Sequence, residues 1–130
     1  MKYEVVFGHF AERHFIHSFA KKYKGAWDKT LKALVIEFTY ADLLFQKSIA
    51  ETICVSADNN VRVCKTEFKI TGTEVSRHGS GNRCIIAIHT GETKVCVLLV
   101  YAKTDLRPSN ETAEWKALVK AQYPEYKPLM

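Results

Sequence analysis

The sequence predicts an α+β fold: an antiparallel sheet of about four strands in the order β-α-α-β-β-β-α, two helices packed on one face, and a C-terminal helix. Three observations carry this. Residues 84–88 and 95–102 are continuously apolar and are joined by His89-Thr90-Gly91-Glu92-Thr93-Lys94. Runs of that length around such a turn form an antiparallel hairpin covered on both faces. Residues 11–24 and 27–45 repeat apolar side chains at the helical period. A strand-like segment precedes the helices, and a capped helical segment follows the hairpin.

The elements follow in order. Residues 3–8 form a first strand. Residues 11–24 form a helix with Phe15, Ile16, Phe19, Ala20 and Tyr23 on one stripe and Glu12, Arg13, Lys21 and Lys22 opposite. Gly25 stands just past its end, where glycine is favoured. A longer helix runs from about Trp27 to Phe45 or beyond, through Leu31, Leu34, Val35, Phe38 and Ala41. Residues 56–60 form a loop rich in side chains that bond their own backbone. Residues 61–70 alternate as a strand, and the hairpin follows. Arg107-Pro108-Ser109-Asn110 form a turn, with Asn110 capping a helix over 111–122, Glu111 and Glu114 complementing its dipole, and Pro124 ending it. Trp27, Phe38 and Phe45 are expected between the layers, and Trp115 and Leu118 dock the last helix elsewhere.

The chain of 130 residues, 47% hydrophobic, fits one domain with a substantial core; residues 108–130 form its C-terminal helix and tail. No window approaches the roughly 18 apolar residues of a membrane span, and the first residues suit a strand better than an export signal. A cytoplasmic protein with four reduced cysteines packed as small hydrophobes is therefore expected. His14 and His17 lie one helical turn apart, but without a carboxylate at zinc-site spacing no metal site is assigned.

The net charge of +5 is unevenly placed. Residues 1–60 carry eight Lys/Arg against seven Asp/Glu, residues 61–107 eight against four, and residues 108–130 three against three. The excess sits on the segment that builds the hairpin, where it suits phosphate backbones. Arg77, His78 and Arg83 lead into the hairpin and Lys103 leaves it, gathering cations at one end of a sheet.

Lys69, the Ser80-Gly81-Asn82-Arg83 entry, the apolar strand after it and the Leu-Leu-Val-Tyr-Ala-Lys-Thr-Asp exit at 98–105 resemble the RelE/ParE superfamily of bacterial toxins, and more narrowly the RelE-type toxins that cleave mRNA. The likeness covers roughly residues 61–107, and residues 1–50 by element order. Lys65, Lys69, Arg83 and Lys103 stand where the family places its cations. The resemblance implies a ribosome-dependent, metal-independent ribonuclease that acts without a cofactor on mRNA and is neutralised by a cognate antitoxin, as a dimer or a hetero-oligomer with it. It departs from the mRNA-cutting pattern at Thr104 and Asp105, where a further Arg is expected after Lys103.

The chemistry needs a base for the 2′-hydroxyl, cations for the phosphate and an acid for the leaving 5′-oxygen. Arg83 and Arg77 are the candidates for transition-state stabilisation, since the guanidinium fork grips two oxygens at once. Lys69 among cations is a candidate base. An imidazole titrates near neutrality, so His78 suits acid or base work. Lys103 is assigned to hold substrate, and Lys65, Arg62 and Arg107 to bind nucleic acid. Two alternatives remain: a ParE-like gyrase poison without nuclease activity, and a non-toxic mobile-element protein that kept the fold and a basic surface.

Overall fold

The structure, a computed structural model, describes residues 1–106 and 110–130. Residues 107–109 of the predicted turn at 107–110, Arg107 among them, and the side chain of Phe15 lie outside the described residues. The fold is α+β. Strand β1 (Glu4–Phe7) leads into helix α1, π-wound over Ala11–Ile16 and α-helical over His17–Lys22. Helices α2 (Ala26–Thr39) and α3 (Asp42–Gln46) follow, then strands β2 (Ala50–Val55), β3 (Val61–Phe68), β4 (Asn82–His89) and β5 (Lys94–Ala102). A 3-10 turn (Lys103–Asp105), helix α4 (Glu111–Gln122) and a 3-10 segment (Pro124–Leu129) complete the chain.

The sheet has five strands in the order β1-β5-β4-β3-β2 and is mixed, which corrects the expectation of about four antiparallel strands. The helices carry the chain from β1 to the far edge. The meander β2-β3-β4-β5 then walks back, so that β5 arrives beside β1 and runs parallel to it.

The shorter second helix and the extra strand have local causes. The expected long helix breaks after Thr39. The Thr39 hydroxyl donates to the Val35 carbonyl at 2.7 Å, a contact that bends helices, and the Thr39 carbonyl accepts instead from the Tyr3 amide at 2.8 Å. After α3, Ser48 takes a positive φ of 56° and turns the chain into β2. That strand has little alternation to announce it, because it is an edge strand and bulges between Thr52 and Cys54.

Two cores lie on opposite faces of the sheet, as the continuously apolar hairpin strands require. On one face, Trp27, Leu34 and Phe38 pack on Cys64, Phe68, Cys84 and Ile86. On the other, Trp115, Val119 and Tyr126 pack on Val63, Ile85, Ala87 and Leu99. Phe45 is only half-buried, with the Arg62 guanidinium 4.6 Å from its ring centre. Asn110 makes no side-chain cap on α4, contrary to expectation.

Tyr123 ties the two ends of the chain together. Its hydroxyl donates to the Leu98 carbonyl at 2.8 Å and accepts from the Phe10 and Ala11 amides at 3.2 and 3.3 Å. These amides are among the orphan donors at the start of α1. Gly8 permits this approach, since a Cβ there would collide with the Tyr123 ring.

Candidate functional site

Strand β2 begins opposite Thr66, so the last residues of β3, Glu67 and Phe68, have no neighbour on that side. The segment 71–81 folds across the gap. It is held by the Ser80 hydroxyl, which lies within bonding distance of the Phe68 and Arg77 carbonyls, and by Gly81, whose φ of +76° turns the chain into β4. The result is an open cleft of about 350 Å3 at the sheet margin, with Lys65, Glu67, Arg77 and His78 on its walls.

Within it the carboxylate of Glu67 meets His78 Nδ1 at 2.9 and 3.0 Å. An ionised carboxylate only accepts, so Nδ1 carries the proton and Nε2 is left as the working nitrogen. The His78 side chain is 86% exposed, so that nitrogen is accessible to a substrate. Arg77 makes a bidentate pair with Glu37 of α2 at 2.8 and 2.9 Å and approaches the Thr66 hydroxyl at 3.4 Å. Two of the five guanidinium N–H groups go to Glu37 and a third to Thr66, which leaves two that can face an anion.

The remaining cations are dispersed. Arg83 is buried, at 6% exposure, on the face covered by α4. Among the described residues, its Nε lies 3.7 Å from Glu111 without a hydrogen-bond partner, and Nη1 reaches the Asn82 carbonyl at 3.4 Å. Tyr101, beside Arg83 in the sheet, donates to the same Glu111 carboxylate at 2.7 Å. Burial, and then that bond, push the Tyr101 hydroxyl far above its ordinary pKa, so it stays a donor. This largely buried trio encloses Arg83, expected from the sequence to stabilise the transition state, under α4.

Lys69, exposed just past the end of β3, borders a different cavity, of about 450 Å3 and beside α2. Arg83, enclosed under α4, lines neither that cavity nor the cleft. Lys103 is exposed and lies across Gly81, apart from the residues that line the cleft. Arg62 stacks on Phe45 beside Tyr3 and Asp42. Of the eight residues assigned from sequence, the cleft unites Lys65, Arg77 and His78.

Sequence reasoning missed Glu67, the partner that completes the group. The signal was present: Glu67 is the only carboxylate in β3, standing between Lys65 and Lys69 in a strand otherwise basic or neutral.

All four cysteines are free, and burial raises the Cys64 thiol to about 11 and the Cys84 thiol further still, so neither suits nucleophilic or metal chemistry near neutrality. Among the described residues, no His, Cys, Asp and Glu side chains cluster closely enough to hold a metal ion, and no helix is long and apolar enough to cross a membrane. Comparison with protein-family models, with curated proteins and with solved structures found no match to this chain.

Proposed function

We propose that the protein is a toxin of the RelE kind, an endonuclease that cuts mRNA on the ribosome by attack of the RNA's own 2′-hydroxyl and is neutralised by a cognate antitoxin. The observation that supports it is the cleft in which a carboxylate–imidazole pair, an arginine and a lysine converge. With Nδ1 engaged by Glu67, His78 Nε2 takes the 2′-hydroxyl proton, and Glu67 stabilises the imidazolium that forms. Arg77 and Lys65 carry the charge that builds on the phosphate, and the Lys65 ammonium gives a proton to the departing 5′-oxygen. The products are a 2′,3′-cyclic phosphate and a 5′-hydroxyl, so every proton is accounted for without a cofactor.

One observation favours the second reading, a ParE-like gyrase poison. Arg77 and Arg83 both already face carboxylates, which a protein that acts by contact alone tolerates better than a nuclease does. Induced expression in bacteria separates the two. The nuclease gives growth arrest with new 5′-hydroxyl mRNA ends, and His78→Ala and Glu67→Gln relieve it while remaining folded. Arrest with intact mRNA and broken DNA replaces the nuclease with the gyrase poison. Healthy growth of cells making soluble, folded protein overturns both.

A further inference from the structure

A further cavity, of about 250 Å3, lies at the opposite end of β3 from the cleft. Residues from the start of the chain, α3, the start of β3 and the end of β4 converge on it. Tyr3, Phe45 and Ile88 give it a mainly apolar wall, with Tyr3 and Ile88 buried. Arg62 pairs with Ile88 in the sheet and stands five residues before Glu67. About 16 Å of strand therefore separates this cavity from the carboxylate–imidazole pair.

Two opposite charges border the cavity without meeting. Arg62 stacks over Phe45, and among the described residues it has no ion pair or hydrogen bond. Stacking holds the guanidinium by its face and leaves its N–H edge to an oxyanion. Asp42 accepts from the Tyr3 hydroxyl at 2.9 Å through Oδ1, and its Oδ2 has no partner among the described residues. Burial, and then that bond, raise the Tyr3 hydroxyl above its ordinary pKa, so Tyr3 stays the donor. One cation and one carboxylate, each with bonding capacity to spare, thus face a common apolar wall. A phosphate ester placed here would meet Asp42 as well as Arg62, and repulsion of that kind excludes ligands. A nucleotide also needs more room, since sites for drug-sized ligands take roughly 300–1,000 Å3. A lone cation or anion would use one charge and leave the wall bare.

We propose that this cavity binds a free aliphatic amino acid, its carboxylate on Arg62, its ammonium on Asp42 and its side chain against Phe45 and Ile88. The guanidinium fork suits a carboxylate because it donates two parallel bonds at once. The ammonium adds a charge-assisted bond to Asp42 Oδ2, and the side chain contributes by leaving water. The site shares no lining residue with the cleft, so its binding stands whether or not the cleft cuts RNA.

The test titrates the isotope-labelled full chain with L-leucine and follows its resonances. Shifts are expected at Arg62, Ile88 and Thr90, with a Kd on the order of 1 mM because both charges sit at an exposed rim. N-acetyl-leucine, which lacks the ammonium, and leucinamide, which lacks the carboxylate, each bind at least about tenfold more weakly. Arg62→Gln and Asp42→Asn cost leucine a similar factor, and urea midpoints near that of the parent show that both fold. Should either variant unfold, the two blocked ligands on the unaltered chain still decide. Equal binding of leucine and its blocked forms, no shift at about 50 mM leucine, or shifts confined to other parts of the chain overturns the proposal. So does guanosine monophosphate binding at these residues more tightly than leucine, which would make the cavity a nucleotide subsite.

Discussion

At the scale of single residues, the candidate site residues of this chain divide by what holds them. His78 is pinned by one nitrogen and open at the other, whereas Arg83 is enclosed. Substitution therefore has opposite signatures at the two positions. His78→Ala removes an exposed ring and is expected to shift stability by less than about 0.5 kcal/mol, as surface changes do, while abolishing cleavage if the cleft works as proposed. Arg83→Ala takes the cation from the Glu111 carboxylate under α4 and leaves the Tyr101 hydroxyl bonded to it. It is expected to cost about 2–3 kcal/mol, somewhat below the full penalty for breaking a buried pair because Tyr101 remains bonded. Urea denaturation checks both, and the double change Arg83→Met with Glu111→Gln should recover most of the loss. A stable Arg83→Ala protein that has lost activity would return Arg83 to the site. In the sequence, Arg83 beside Gly81 at a strand start has the look of a functional cation. Its burial depends on Glu111, twenty-eight residues away on another element, and only the packing of α4 brings them together.

At the scale of elements, the least conventional segment is the start of α1, where a π-wound turn is fastened from the other end of the chain. Removing the fastening oxygen tests whether it is structural. Tyr123→Phe leaves the Phe10 and Ala11 amides without their acceptor and the Leu98 carbonyl without its donor. A loss of about 1–3 kcal/mol is expected, with faster amide hydrogen exchange confined first to residues 9–13. Unchanged exchange there would mean that water replaces the hydroxyl at no cost. The same element scale explains what could be read in advance. The hairpin strands and α4 announce themselves because periodicity and turn residues agree along each of them. The break at Thr39 does not, since Tyr40 and Ala41 continue the helical pattern and the carbonyl that ends the helix is claimed by Tyr3. Strand β2 is hidden for a related reason: an edge strand with exposed Glu51, Thr52 and Val55 has no buried face to impose alternation.

At the scale of the whole molecule, five strands carry a separate core on each face, and the candidate site lies where one edge runs short. A sequence shows that Lys65, Arg77 and His78 exist. That they share a cleft with Glu67, while Lys69 borders another cavity and Arg83 is enclosed, follows from where β2 begins and from which helix covers which face. The two cores also fix how the fold responds to alkali. Burial raises the Cys64 thiol from 9.0 to about 11 and raises Cys84, Tyr101 and Tyr126 as well, all in the same direction. Below pH 9 these groups are protonated in the folded and unfolded chain alike, so they make stability independent of pH there. Above it the unfolded chain releases protons that the folded chain retains, and each release favours unfolding. The urea midpoint should therefore hold level up to about pH 9 and fall as pH rises towards 11, with Cys64 alone contributing on the order of 2 kcal/mol across that window. Cys64→Val, close in volume and unable to titrate, should make the fall shallower without removing it, because the other three groups remain. A midpoint that stays level to pH 11, or a slope that Cys64→Val leaves unchanged, would mean that these side chains reach solvent and that the cores are less closed than their packing indicates.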